Sequence, residues 1–255
     1  MPTHSQRKTV LIIGSGPNAV EAAAWDRDAF THIVAINNAF AVRPDWDFAI
    51  YPEDLPVDRR PTDLRPGQQV VEAADYVPVQ NTLGGFVYAG GTMAFTAGYW
   101  ALASLKPAVM GFVGCNMVYP ATGNTHFYGV GAADPLRDDI TLQSLEAKSA
   151  RLELMAAAHG CACVNLSDGE SRLTFPRRTP ETLSDAQVLT PEPNSLAAAQ
   201  AQERALGYVV PSGRYWEVAD QFDAAELRGV DALWLTALAA ARGASDGQRH
   251  RSCSP

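Results

Sequence analysis

The sequence predicts an α/β protein with a Rossmann-like, doubly wound and mostly parallel sheet, helices on both faces and a C-terminal helical extension. Three observations support this fold class. The β-branched apolar run Thr9–Ile13 ends at a glycine turn, and an alanine-rich helix is expected at Asn18–Trp25. Further strands of buried type follow at Thr31–Ile36 and Asp47–Tyr51. Strand, helix and strand with short connections are typical of βαβ units in a parallel sheet.

The rest of the pattern extends this sheet and supplies its helices. Apolar residues recur with helical spacing after Asp139, and Gly160 ends that stretch. We expect further strands at Gln69–Ala73, Ala108–Val113 and Cys161–Leu166, and further helices at Thr92–Leu105, Asp139–His159, Ser195–Leu206 and Ala224–Arg242.

Composition along the chain predicts its domain organisation. Residues 1–175 carry the strands and the glycine turn, and we expect them to form a nucleotide-binding Rossmann-like domain. Residues 176–194 are rich in proline and lack periodicity, which indicates a linker. Residues 195–242 are expected to form a helical extension packed on the same domain, and residues 243–255 a disordered tail. The extension is compatible with covering the sheet edge, capping the site or forming a homo-oligomer contact.

Charge and cysteine usage limit the partners. The 255 residues carry a formal net charge of −8, which argues against a nucleic-acid partner because such proteins usually present a basic surface to phosphates. The four cysteines lack the C-x-x-C spacing of zinc and redox sites, so reduced thiols and no metal are expected. The apolar run at Val10–Ile13 is too short to span a membrane. We therefore expect a cytoplasmic protein without a transmembrane segment.

The strongest functional signal is the turn Gly14-Ser15-Gly16-Pro17-Asn18, between a strand and a helix. A first glycine permits a tight turn, a second lets backbone approach a diphosphate, and a helix N-terminus favours an anion. The turn therefore predicts phosphate binding, although a glycine turn can also serve only to reverse the chain.

The end of the second predicted strand bears on which nucleotide is bound. NAD-binding folds usually place an acidic residue there to accept hydrogen bonds from the ribose. This chain has Asn37 and Asn38 instead. Asparagine both donates and accepts hydrogen bonds, so it could recognise a ribose or a base edge. The pair favours a nucleotide other than NAD.

A loop after the strand at residues 108–113 carries candidate catalytic groups. It includes Tyr119, His126 and Tyr128. A histidine titrates near neutral pH and can take a proton from an acceptor hydroxyl, and tyrosine hydroxyls can donate hydrogen bonds to a leaving phosphate. A lone loop histidine is more often structural, so both interpretations stay open.

Several short motifs occur in the order seen in one enzyme family. They are Gly14-Ser-Gly-Pro17, Ile36-Asn37-Asn38-Ala-Phe40, Ile50-Tyr51-Pro52, Gly90-Gly91-Thr92-Met93, Val113-Gly114-Cys-Asn116-Met-Val-Tyr119 and Thr125-His126-Phe-Tyr128-Gly129. Over roughly residues 9–166, the chain resembles the bacterial sialyltransferases of glycosyltransferase family 42 and the related hydroxymethylpterin pyrophosphokinase-like domains. The chain departs from the family at Asn116, where the family has an acid, and at His126, which lies slightly earlier than the family's histidine.

The resemblance implies a metal-independent transferase that uses a nucleotide-activated donor, most simply a CMP-linked sugar, and requires no further cofactor. His126 would be the general base, with Tyr128 and Tyr119 assisting the leaving phosphate. The acceptor would bear a hydroxyl, as in a glycan or lipid-linked glycan. The residues expected to bind the nucleotide are Gly14, Ser15, Gly16, Pro17, Asn18, Asn37, Asn38, Gly91, Thr92 and Asn116.

Two other classes remain as alternatives at this stage. The glycine turn alone is compatible with an NAD(P)-dependent oxidoreductase. The altered positions at Asn116 and His126 are compatible with a nucleotide-binding protein that has lost its catalysis. Ligand binding and turnover measurements distinguish the three.

Overall fold

The computed structural model describes residues 7–119, 123–130 and 138–251, without the side chains of residues 245–251. Six strands form one sheet, and every pairing between neighbours is parallel. The α/β fold class is therefore confirmed. The strands are β1 (Thr9–Ile13), β2 (His32–Ile36), β3 (Phe48–Ile50), β4 (Gln69–Val71), β5 (Val109–Val113) and β6 (Ala162–Asn165), in the order β4-β3-β2-β1-β5-β6.

The position of β1 in the interior of the sheet explains why residues Val10–Ile13 are all apolar. Side chains alternate between the two faces of a strand, so Val10 and Ile12 join the core on one face and Leu11 and Ile13 the core on the other. All four side chains are fully buried. Both faces of the sheet are covered, as is usual for parallel sheets.

The two faces are covered in different ways. In the described part of the chain, the α-helices contribute buried residues to the core on the face of Val10 and Ile12. The opposite face is covered by 3₁₀ helices, including Pro17–Ala24 and Pro180–Asp185. The α-helices are α1 (Ala73–Thr82), α2 (Phe86–Ala89), α3 (Met93–Leu105), α4 (Leu145–Ala158), α5 (Pro193–Leu206) and α6 (Ala224–Arg251).

Two predicted helices differ from those in the structure. The helix expected at Asn18–Trp25 is a 3₁₀ helix over Pro17–Ala24, with Pro17 in its first turn. The stretch expected to be one helix over Asp139–His159 is a short 3₁₀ turn followed by α4. The Ser144 side chain accepts a hydrogen bond from the Ala147 N–H and so caps a new helix inside that stretch.

The C-terminal region is part of the folded domain. The expected linker contains the 3₁₀ helix Pro180–Asp185, whose Leu183 is fully buried beneath the sheet. The α6 backbone continues to Arg251, nine residues past the helix end predicted at Arg242. Residues 252–255 lie outside the described residues. Among the described residues, no helix combines the length and apolar character that crossing a membrane requires.

Buried ion pairs join α4 to the C-terminal helices. Lys148 Nζ lies 2.6 Å from Asp231 Oδ1 of α6, and Arg151 Nε lies 2.7 Å from Glu203 Oε1 of α5. All four side chains are buried. Breaking a buried pair leaves an uncompensated charge in a low-dielectric interior, which is strongly unfavourable. These pairs therefore favour one placement of α5 and α6 over others.

Candidate functional site

The candidate site lies where the sheet order reverses. From β1 the chain builds β2, β3 and β4 on one side, and it then places β5 on the other side of β1. After β1 the chain continues into a 3₁₀ helix on one face of the sheet, whereas after β5 it leads to α4 on the other face, and a crevice lies between them at the carboxyl ends of the strands. Open α/β sheets bind their ligands in this crevice.

The glycine turn packs against the end of β5. The Gly14 N–H donates to the Val113 carbonyl, and the Gly16 N–H donates to the Gly114 carbonyl, each over 2.8 Å. A Cβ on Gly14 would overlap the Gly114 carbonyl oxygen and lie 2.6 Å from Cys115 Sγ, and a Cβ on Gly16 would lie 2.8 Å from that same oxygen. The glycines therefore permit two loops to touch, a role that the sequence pattern alone did not indicate.

A cavity of about 110 Å³, here called the histidine cavity, lies beside this turn. Its walls come from the ends of β1, β2 and β5, the start of α3 and the loop at residues 123–130. The structure brings eight of the predicted site residues together around it: Gly14, Ser15, Gly16, Asn37, Thr92, Tyr119, His126 and Tyr128.

A second cavity, of about 260 Å³, lies on the other side of the turn and is called the asparagine cavity. Pro17, Asn18 and Asn116 line it together with Asp168 and Glu170, which the sequence analysis missed. Gly16 and Tyr119 line both cavities. The two remaining predicted residues lie elsewhere: Gly91 lines a third, neighbouring cavity, and Asn38 lines none of the three.

Three of the predicted asparagines carry buried polar atoms that lack a hydrogen-bond partner among the described residues. These atoms are Asn37 Oδ1 in the histidine cavity and Asn18 Nδ2 and Asn116 Oδ1 in the asparagine cavity. Buried polar groups in native proteins are nearly always satisfied, because an unmade hydrogen bond is costly. Other described residues, among them Gln80 and Asn81, carry such atoms away from the crevice, and a water molecule or a polar ligand can complete the bonds of the three asparagines.

Backbone strain marks the same crevice. Asn37 has a φ of +54° directly after β2, and Met117 has a φ of +54° in the loop after β5. Asparagine tolerates this left-handed conformation better than most residues, whereas for methionine it is uncommon. Both residues line the histidine cavity. Such strain collects at ligand-binding and active sites, where the surrounding structure maintains it.

The candidate catalytic loop is held on the glycine turn. The Phe127 N–H donates to the Ser15 carbonyl over 3.0 Å, and the backbones of His126 and Gly129 pair with each other. His126 is 7% exposed, and its Nδ1 lies 2.8 Å from Thr125 Oγ1. The loop therefore places the imidazole in the cavity wall with a defined orientation.

Aromatic rings surround this histidine. The His126 ring stacks on Tyr128 at 5.0 Å between centroids and lies 6.0 Å from Tyr119. The nearby thiol of Cys115 also lines the cavity, but burial raises its pKa to about 12. Because the thiolate is the reactive form of cysteine, this shift disfavours Cys115 as a nucleophile at neutral pH.

The turn that opens α3 is held by residues that the sequence analysis missed. The Gly91 N–H donates a hydrogen bond to Thr141 Oγ1 over 2.9 Å. The Asp139 carboxylate accepts hydrogen bonds from the Thr141 and Tyr215 hydroxyls, each over 2.6 Å. Thr92 caps α3 by accepting a hydrogen bond from Phe95 N–H. These contacts give Thr92 a structural role alongside its place in the cavity wall.

A D-x-D sequence, Asp45-Trp46-Asp47, lies away from the crevice. Asp47 precedes β3, and its carboxylate binds Arg27 and the Ile33 N–H at the start of β2. Asp45 pairs with Arg43, and this hydrogen bond lowers the pKa of Asp45 despite partial burial. The described residues contain no group of three or more His, Cys, Asp or Glu side chains that could hold a metal ion.

In comparisons with known proteins, no family model, no curated protein and no solved structure matches the chain.

Proposed function

We propose that the protein is a transferase that uses a nucleotide-activated donor, most simply a CMP-linked sugar, and needs no metal. The observation that carries the proposal is the set of three buried asparagine atoms, at Asn18, Asn37 and Asn116, that have no hydrogen-bond partner among the described residues. They surround the crevice that also contains His126. The motif order shared with family 42 sialyltransferases supports the same reading.

Amide groups suit a cytidine nucleotide. The exocyclic amine of cytosine is a hydrogen-bond donor, whereas its ring nitrogen and carbonyl oxygen accept, as do ribose and phosphate oxygens. Asn37 and Asn116 each present an accepting oxygen, and Asn18 presents a donating nitrogen. The asparagine and histidine cavities together would hold the nucleotide on both sides of the glycine turn.

The proposed reaction transfers a sugar from phosphate to an acceptor hydroxyl. The acceptor oxygen forms a bond to the anomeric carbon of the sugar, the bond from that carbon to the phosphate oxygen breaks, and CMP leaves. His126 takes the acceptor proton on Nε2, with Nδ1 held by Thr125. The Tyr119 and Tyr128 hydroxyls donate hydrogen bonds to the phosphate as its charge develops.

An NAD(P)-dependent oxidoreductase has less support. The Gly16 N–H, which would face a diphosphate in a dinucleotide site, is bonded to the Gly114 carbonyl. Pro17 contributes no N–H at the start of a 3₁₀ helix. Asn37 follows β2 in place of an acidic residue.

Ligand stabilisation tests the nucleotide class. Melting temperatures of the purified chain are measured with CMP, CDP, UDP, GDP, ADP, NAD and NADP, each with and without magnesium. A ligand that binds the folded state raises the melting temperature by mass action. We expect a magnesium-independent rise with CMP or CDP. A rise only with NAD or NADP would reject the proposal in favour of the oxidoreductase, and no rise with any ligand would reject nucleotide binding.

Asn37→Gly isolates the contribution of one amide. Glycine adopts positive φ without strain, so this variant keeps the backbone conformation while removing Oδ1. Since one hydrogen bond contributes about 0.5–1.5 kcal/mol, we expect CMP affinity to fall about two- to tenfold. Lys106→Gly is the matched control, because Lys106 has a φ of +49° at the far end of α3. Equal CMP affinity in both variants would contradict the role of Asn37.

His126→Ala tests the catalytic base. Loss of a positioned base lowers rates by about 10²–10⁴-fold, so hydrolysis of, or transfer from, CMP-sialic acid should fall by that factor with CMP affinity unchanged. His159→Ala is the control, because this exposed histidine lies at the end of α4, with its Nδ1 on the Met155 carbonyl. Full activity in His126→Ala would reject the role. Tight CMP binding without turnover of any donor by the unmodified protein, even by slow hydrolysis, would support the non-catalytic alternative.

A further inference from the structure

A third cavity, of about 480 Å³, opens beside the histidine cavity and is called here the aromatic pocket. Its size falls within the range of about 300–1,000 Å³ that is usual for small-molecule sites. Thr92 and Met93, at the start of α3, line both cavities, so the two spaces meet there. The side chains that give the pocket its character are those of Glu53, Asp54, Tyr76, Phe86, Arg214 and Trp216.

Trp216 is placed to receive a ligand. It is 61% exposed although it is among the largest apolar side chains, and it lines the pocket. The buried ring of Tyr215 lies edge-on to it at 5.4 Å, which supports its position. A flat aromatic face packs well against the C–H face of a sugar ring, and its burial on binding is favourable.

The charges in the pocket favour a neutral ligand over an anion. Arg214 is already paired, at 3.1 Å with Glu53 and at 3.8 Å with Glu217. Burial, together with the nearby Glu53 and Asp54 carboxylates, raises the pKa of Tyr76 to about 12, so its hydroxyl stays protonated. Carboxylates accept hydrogen bonds from hydroxyl groups but repel a second anion.

We propose that the aromatic pocket binds a neutral saccharide, which stacks on Trp216 and donates hydroxyl hydrogen bonds to Glu53 and Asp54. The shared wall at Thr92 and Met93 lets a hydroxyl of the bound saccharide face the histidine cavity. That the saccharide is the acceptor rests on the proposed function, whereas its binding in the pocket does not.

Saturation-transfer NMR on the full chain tests this binding. The probes are the neutral sugars glucose, galactose, N-acetylglucosamine, lactose and maltose, with glucuronate as an anionic comparison. We expect saturation transfer to at least one neutral sugar and weaker transfer to glucuronate. No transfer to any neutral sugar, or stronger transfer to glucuronate, would overturn the proposal.

Amino-acid substitutions test whether the sugar binds in the aromatic pocket. Trp216→Ala should lower the affinity for the bound sugar by at least about tenfold, as for an aromatic anchor, and Trp216→Phe should restore part of it. Leu235→Ala, on exposed α6 surface, is the control and should bind normally. Asp54→Asn should reduce the discrimination against glucuronate. Unchanged sugar binding in Trp216→Ala would place the sugar elsewhere and reject the pocket.

The saccharide-binding proposal and the proposed function can each fail without the other. His126→Ala should keep its saccharide binding, because His126 does not line the aromatic pocket. Saccharide binding without any effect of CMP or CDP on the melting temperature would reject the transferase that uses a CMP-linked donor and leave the pocket. CMP binding without saccharide binding would reject the pocket and leave the nucleotide site.

Discussion

Glu203→Gln perturbs the buried network that joins the C-terminal helices to the domain. The Glu203 carboxylate accepts two hydrogen bonds from Arg151, over 2.7 and 2.8 Å, and a third from Trp234 Nε1 over 2.7 Å. Arg151 also donates to the Tyr99 hydroxyl and to the Leu83 carbonyl. Glutamine preserves the shape of the side chain but removes the charge that balances Arg151.

The structure sets the magnitude of the effect. Burial disfavours the Arg151 charge, but the Glu203 carboxylate and Tyr99 outweigh it and raise the pKa of Arg151, so the guanidinium stays charged. Removing one partner of a buried pair costs about 3–5 kcal/mol. For a domain of this size, about 1 kcal/mol corresponds to about 2–4 °C in melting temperature. We therefore expect the melting temperature to fall by about 6–20 °C.

Urea unfolding and thermal melting of the purified protein measure this effect. Glu146→Gln is the matched control, because Glu146 pairs with Arg172 at 2.8 Å but the side chains are 43% and 50% exposed. Exposed pairs contribute about 0–1 kcal/mol. If the unfolding free energies of the two variants agreed within about 1 kcal/mol, the buried network would contribute no more to stability than an exposed ion pair does, contrary to this prediction.

Three further predictions concern the glycine positions and a buried carboxyl. Gly14→Ala should lower the unfolding free energy in urea by about 1–3 kcal/mol or more, because its Cβ would overlap the Gly114 carbonyl. Gly91→Ala should lower the unfolding free energy by a similar amount, since the alanine Cβ would overlap the hydroxyl of the buried Tyr215. Burial raises the pKa of Glu153 above 4.5, against the opposing Arg242 and Thr174. The Glu153 carboxyl therefore binds its proton more tightly in the folded state than in the unfolded state. Its contribution to the free energy of unfolding consequently falls as pH rises above 4.5. Relative to the unmodified protein, Glu153→Gln should gain stability between that pH and neutrality, as measured by urea unfolding across pH.

A glycine on an exposed helix surface serves as the control for the two glycine variants. Gly229→Ala, on a helix surface with nothing near its Cβ, should raise stability by up to about 1 kcal/mol. A Gly14→Ala or Gly91→Ala variant as stable as Gly229→Ala would show that close packing does not require those glycines. A stability difference between Glu153→Gln and the unmodified protein that stayed constant with pH would contradict the raised pKa of Glu153.

Local sequence patterns predicted the elements of the sheet well. The continuous apolar runs at β1, β2 and β5 indicated strands buried on both faces, and each lies within two residues of its expected bounds. Parallel strands end at one edge of a sheet, so the fold brings together residues that follow different strands. Eight of the predicted site residues do line the histidine cavity.

Other features depended on contacts between residues far apart in the chain. The pattern indicated close backbone approach at Gly16 but not that the approaching group is the Gly114 carbonyl, because that contact exists only when β1 and β5 are neighbours. The polar residues Lys148 and Arg151 on α4 gave no sign of burial, since their partners come from α5 and α6.

The aromatic pocket likewise could not be predicted from local sequence patterns. Glu53 and Trp216 are 163 positions apart in the sequence, and neither belongs to a local motif that indicates a site. Only the packing of the 3₁₀ helix Tyr215–Gln221 near the loop after β3 brings them to one cavity. The strands, the fold class and the crevice at the glycine turn could be predicted from the order of the amino acids, because each follows from local periodicity and turn chemistry. The buried charge pairs, the packing role of the glycines and the aromatic pocket could not, because each requires long-range contacts that no local pattern encodes.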